Sequence, residues 1–176
     1  MKKSVLWVTR TALSLALLTV AQAMLKALGQ YVLGSTVNLI LISTAVLFGI
    51  SEGITVAILS PILAFLLGFG PALPQIVPVV ILGNISIVLV WYLITKKNEV
   101  KQTIRMGIAA ALGAILKFLV LWIGVTKIVI PVFKLNEAAS TMLSVAFSYP
   151  QLITAGIAGL VAILILPKLL KVVKKE

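Results

Sequence analysis

Apolar residues fill almost the whole chain in long blocks, separated only by short polar or Gly/Pro clusters. A helix that crosses a hydrocarbon core about 30 Å thick needs about 20 such residues. Six blocks reach or approach that length. They predict spans from about Val5 to Leu28, Tyr31 to Gly49, Glu52 to Phe69, Gln75 to Thr95, Met106 to Ile130 and Gln151 to Leu166. Pro61 should kink the third span. Gly68, Gly70, Pro71, Pro74 and Pro78 mark a loop after it. Only Ser51, Glu52 and Gly53 divide the second span from the third, so a single re-entrant hairpin is the alternative there. The stretch from Pro131 to Tyr149 is a mixed segment with Lys134, Asn136 and Glu137. Pro167 and a lysine tail end the last span.

Composition agrees. Hydrophobic residues make up 61% of the chain and charged residues 11%, with a mean hydropathy of +1.22. Soluble domains carry about 25% charged residues, and a water-exposed surface could not hide this much apolar area. The expected fold class is an all-α membrane protein, a six-transmembrane-helix bundle forming one domain over residues 1–176, with no room for a soluble domain beside it.

The net charge of +11 changes the picture in a second way. In a soluble protein it would suggest nucleic acid; here the cations flank apolar spans, where they set topology. Lys2, Lys3, Arg10, Lys96, Lys97, Lys101, Arg105, Lys168, Lys171, Lys174 and Lys175 fall on one side. Lys26, Lys127 and Lys134 fall on the other. The bias places both termini in the cytoplasm and makes the lipid bilayer, not nucleic acid, the partner of the basic residues. The opening also resembles a secretory signal ending in Ala21-Gln22-Ala23. Arg10 splits its apolar stretch, which favours retention as the first helix.

The chain holds no Cys and no His, so thiolate chemistry and the commonest general base and metal ligand are missing. The acids are Glu52, Glu99, Glu137 and Glu176, none paired with another in sequence. No Gly-rich loop ending in Lys-Ser/Thr is present to cradle a nucleotide. These gaps argue against an enzyme, a metal site or a cofactor. Energy for any active transport must come from a partner or an ion gradient, and Glu52, at the cytoplasmic boundary, is the one acid near a span that could serve a gradient.

Lys117 is the sharpest single residue. It lies about 15–18 Å from either end of its span at 1.5 Å per residue, and a charge at that depth costs at least about 2.5–3.5 kcal/mol. It should therefore face the interior with a partner: an anionic ligand group or watery pocket, or carbonyls and Asn84. Asn84 sits at similar depth in the fourth span and Asn38 inside the second. Such amides either glue helices together or bind ligand. Tyr149 and Gln151 open the last helix, whose free N–H groups suit a carboxylate or phosphate, and Thr154 points to the same region. Trp122, one turn outward of Lys117, is a candidate stacking wall or a lipid-facing ring. In the first helix, Ala12 and Ala16 form a small-xxx-small strip that lets another helix approach, within this chain or from a partner.

These residues carry a family resemblance. The opening Thr9-Arg10-Thr11-Ala12-Leu13-Ser14-Leu15-Ala16, together with Gly83-Asn84, Lys117-Phe118-Leu119 and Phe147-Ser148-Tyr149-Pro150-Gln151-Leu152, resembles the S components of energy-coupling factor (ECF) transporters. These are small substrate-binding membrane proteins for vitamin uptake in the bacterial plasma membrane. The resemblance covers nearly the whole chain. It implies a nutrient captured from outside in a cavity made by outer loops and the outer halves of the later helices. It also implies docking through Ala12 and Ala16 on a transmembrane T component, which couples to two cytosolic ATPases that hydrolyse the ATP. Lys117, Asn84, Tyr149 and Gln151 become the leading cavity residues, with Trp122 and Asn38 beside them. The signatures of the riboflavin, thiamine, biotin and folate members are absent, so the expectation stops at a small anionic or zwitterionic nutrient. A stand-alone secondary carrier and a non-transport membrane scaffold are the alternatives.

Overall fold

The computed structural model describes residues 3–71, 73–96 and 102–173, which contain helices and no strand. Lys2, Lys97, Glu99, Lys101, Lys174, Lys175 and Glu176, used above for charge and topology, lie outside the described residues.

Helix α1 (Lys3–Leu25) continues into a 3₁₀ turn, Lys26–Leu28. Helix α2 (Gln30–Leu47) and helix α3 (Ile50–Leu66) follow. These two are separate helices. The turn between them is made possible by Gly49, whose φ of 132° is open to glycine and strained for other residues. Pro61 is accommodated inside α3, its missing N–H costing one ladder bond. A 3₁₀ turn, Pro74–Ile76, leads into α4 (Val77–Thr95). Helix α5 (Gln102–Trp122) runs on through a π-helical turn, Ile123–Val129, into the short α6 (Ile130–Val132).

Within the mixed segment before Tyr149, Glu137–Ala146 form helix α7. Asn136 caps it, its Oδ1 accepting from Ala139 N at 2.8 Å, and Glu137 sits in the first turn where the helix dipole favours an acid. Helix α8 (Tyr149–Val173) is longer than the predicted sixth span and passes through Pro167.

Five helical stretches have the length and apolar character to cross a membrane, and the 17-residue α3 is shorter but apolar. Several hydroxyls within the helices are satisfied locally. Thr19, Thr44 and Thr95 each donate to the carbonyl four residues earlier, as a span without water requires.

Helix α5 packs along α4 and α8, α8 also lies along α2, and α1 and α3 pack together beside α2. Small residues set the closeness of these contacts. A methyl group at Gly159 would stand 2.6 Å from Ala110 Cβ, and one at Gly83 would stand 2.8 Å from Leu121 Cδ2, so neither helix pair tolerates a larger side chain there. Ile42, Ile87, Trp91, Met106 and Ala158 form one apolar core between α2, α4, α5 and α8. Leu18, Leu41, Val56 and Val88 form another between α1, α2, α3 and α4. The two cores leave a gap toward the end of the bundle that holds the α1–α2 turn, the loop after α3 and the α7–α8 junction.

Candidate binding cavity around Lys117

The gap is a cavity of about 280 Å³, near the lower end of the size range of small-molecule sites. Its walls are mostly apolar, with Leu33, Val37, Pro61, Val80 and Leu121 among them. The polar side chains that line it come from six helices: Gln22 on α1, Gln30 and Asn38 on α2, Ser60 on α3, Asn84 on α4, Lys117 on α5 and Gln151 on α8.

Lys117 is only 4% exposed. Its Nζ donates to Asn38 Oδ1 at 2.5 Å and to Asn84 Oδ1 at 2.7 Å. An ammonium has three protons and accepts nothing, so both amides must turn their oxygens toward it. That fixes the rest of the chain of bonds. Asn38 Nδ2 is directed to Thr154 Oγ1 at 3.4 Å, and Thr154 Oγ1 donates to Gln151 O at 3.2 Å. Charge-assisted bonds to neutral carbonyls stabilise the ammonium by roughly 1.5–3 kcal/mol each, but they supply no opposite charge. Among the described residues no Asp or Glu lines the cavity. The arrangement suits an anionic group, which would meet one cation already held in place.

The rim is held by side chain–backbone bonds. Gln30 Nε2 and Gln151 Nε2 both donate to Ala146 O, at 2.6 and 3.0 Å, and tie down the end of α7. Lys26 Nζ donates to Gly68 O at 2.7 Å and ties the α1–α2 turn to the loop after α3.

Of the residues singled out from sequence, Lys117, Asn84, Asn38 and Gln151 come together at this cavity. Tyr149 and Trp122 do not. Tyr149 is 58% exposed, because two positions along a helix turn it about 200° away from Gln151. Trp122 lies about 140° around the helix from Lys117. It stacks on Phe118, with ring centroids 6.2 Å apart, and receives Lys127 Nζ over its face at 5.5 Å. The residue four beyond Lys117, Leu121, takes the wall position instead. Ala12 and Ala16 lie on the exposed side of α1, while Thr11, Ser14, Leu18 and Gln22 form its buried side.

Gln22, Gln30 and Ser60 were not singled out as site residues. Gln22 was legible as a lone amide in an apolar span, but its setting in Ala21-Gln22-Ala23 drew it toward a processing signal. Ser60 sits beside Pro61, where a hydroxyl is unremarkable in sequence.

A helical membrane protein with a solute-sized cavity around one buried cation is a solute-binding protein in form. Residues 7–170 match the family described as ECF transporter, substrate-specific component. The chain belongs to that family and is the substrate-specific subunit of an ECF-type importer, a multi-pass protein of the bacterial plasma membrane. No curated protein and no solved structure matches it.

Proposed function

We propose that this subunit captures a small nutrient carrying a carboxylate or phosphate, seated on Lys117 with Asn38 and Asn84 holding the ammonium in place. The observation that carries this is a buried cation facing a cavity with two neutral amide oxygens on it and, among the described residues, no lining carboxylate. A lone charge this deep is costly, and a ligand anion offsets that cost only while bound.

Family membership and the charge pattern support the rest of the proposed transport cycle. Both termini are cytoplasmic, so the cavity end of the bundle faces outward. The exposed Ala12–Ala16 strip docks on a transmembrane T component, and ATP hydrolysis by two cytosolic subunits drives release of the nutrient inward. The chain itself needs no cofactor and performs no catalysis. The binding role is tested by a thermal-shift screen of small organic anions on the purified protein, repeated on Lys117→Met. Loss of every anion-induced shift in the variant is expected; equal shifts in both proteins would remove Lys117 from the site.

A further inference from the structure

Two further polar side chains line the cavity apart from the Lys117 network. Gln22 is 9% exposed and Ser60 is 1% exposed, and both line the cavity. Gln22 Oε1 and Ser60 Oγ are buried without a hydrogen-bond partner. Buried polar atoms are nearly always partnered, and leaving one unpaired is costly. Ser60 Oγ does not take the local solution open to a hydroxyl: Thr19 on α1 and Thr55 on α3 bond back to carbonyls four residues earlier, whereas Ser60 does not. The pair also belongs to different helices. Gln22 and Ser60 stand on α1 and α3, which pack on each other, whereas Lys117 and its amides stand on α5, α2 and α4. Apolar wall from Val37, Pro61 and Leu121 completes the lining.

We infer that Gln22 and Ser60 form a second recognition site for an uncharged hydrogen-bonding group at the far end of the ligand. This rests on the Lys117 reading above and adds the substrate class. The nutrient is a monoanion whose acidic group meets Lys117, whose middle is apolar, and whose other end carries a neutral donor–acceptor group such as an amide, a ureido group, a hydroxyl or a ring N–H. Gln22 Oε1 accepts a hydrogen bond from that end, and Ser60 Oγ donates or accepts one as the ligand requires. A second cationic group finds no carboxylate lining the cavity among the described residues, so zwitterions are disfavoured. Two sets of polar groups on different helices also make the site selective, because a ligand lacking the distal group leaves both atoms unpaired.

The test is a thermal-shift screen of the intact protein with three sets of small organic acids: monocarboxylates with a distal amide, ureido, hydroxyl or ring N–H group; matched monocarboxylates with an apolar end; and zwitterionic amino acids. The best binder and its analogue lacking the distal group are then titrated against wild type, Gln22→Leu, Ser60→Ala and Lys117→Met. Ser60→Ala is nearly isosteric and guards against a Gln22→Leu variant that fails to fold. The best binder should come from the first set. Gln22→Leu or Ser60→Ala should weaken it about tenfold or more and change the analogue less than about twofold. Unchanged discrimination in both variants overturns the second recognition site, as does a best binder from either other set, or no binder at all. Lys117→Met reads the anion seat separately. If it leaves binding intact, the Lys117 reading falls, whatever the Gln22 and Ser60 variants do.

Discussion

Lys117 on α5 and Asn84 on α4 meet at 2.7 Å, ammonium to amide oxygen, in the middle of the bundle. The bond joins two helices that pack closely, and it places a cation where lipid would not tolerate one. Stability and binding therefore place opposite demands on this pair. Asn84→Leu leaves the buried ammonium with one fewer acceptor and should destabilise the protein by about 1–3 kcal/mol. Lys117→Met removes the charge itself with little change of volume, and should leave stability unchanged or raise it. Melting temperatures in one detergent check both. A Lys117→Met protein that melts well below Asn84→Leu would contradict the arrangement.

Asn84→Asp separates charge from shape. It would give Lys117 a permanent counter-ion in place of a neutral carbonyl. The fold should persist, as read by size-exclusion chromatography and melting. Affinity for the anion should drop at least tenfold, because the carboxylate competes with the ligand for the ammonium. Retained affinity would mean that the anion does not use Lys117.

Gly83 and Gly107 make a packing pair with opposite signs. A methyl group at Gly83 would press on Leu121 at 2.8 Å, whereas one at Gly107 meets nothing within 4 Å. Gly83→Ala should cost about 1–3 kcal/mol through overpacking. Gly107→Ala should be neutral or stabilise by up to about 1 kcal/mol, because helix interiors favour Ala over Gly. Thermal unfolding of the two variants side by side checks the α4–α5 contact on which the cavity wall depends.

Gln30 should act on the rim without touching the charge. Its bond to Ala146 O is one of two side-chain amide bonds to that carbonyl at the α7–α8 junction. Gln30→Leu should raise hydrogen exchange over residues 144–150 and leave exchange near Lys117 as it was. Exchange unaltered at the junction would show that Gln151 alone suffices to hold it.

Much of this was legible in the sequence, for physical reasons that differ by element. The spans followed from block length, because lipid forces each backbone group to bond within its own helix. Lys117, Asn38 and Asn84 stood out because a polar group in an apolar block needs a partner, and the structure brings the three together. Helix α7 was hidden because its residues alternate polar and apolar too loosely to read as a span, and its signal was the cap at Asn136 followed by Glu137. The π-helical turn Ile123–Val129 left no such mark. Trp122 and Tyr149 were placed by nearness along the chain, where rotation about the helix axis decides which side chains share a cavity. Gln22 and Ser60 needed the packed bundle, since their lack of partners is a property of the neighbours.

The most direct measurement is an experimental structure of the protein with its anionic nutrient bound. An oxygen of the ligand's acidic group should lie within about 3 Å of Lys117 Nζ, with Asn38 and Asn84 still on the ammonium. A ligand bound with its acidic group elsewhere, and Lys117 still sealed between the two amides, would contradict the account.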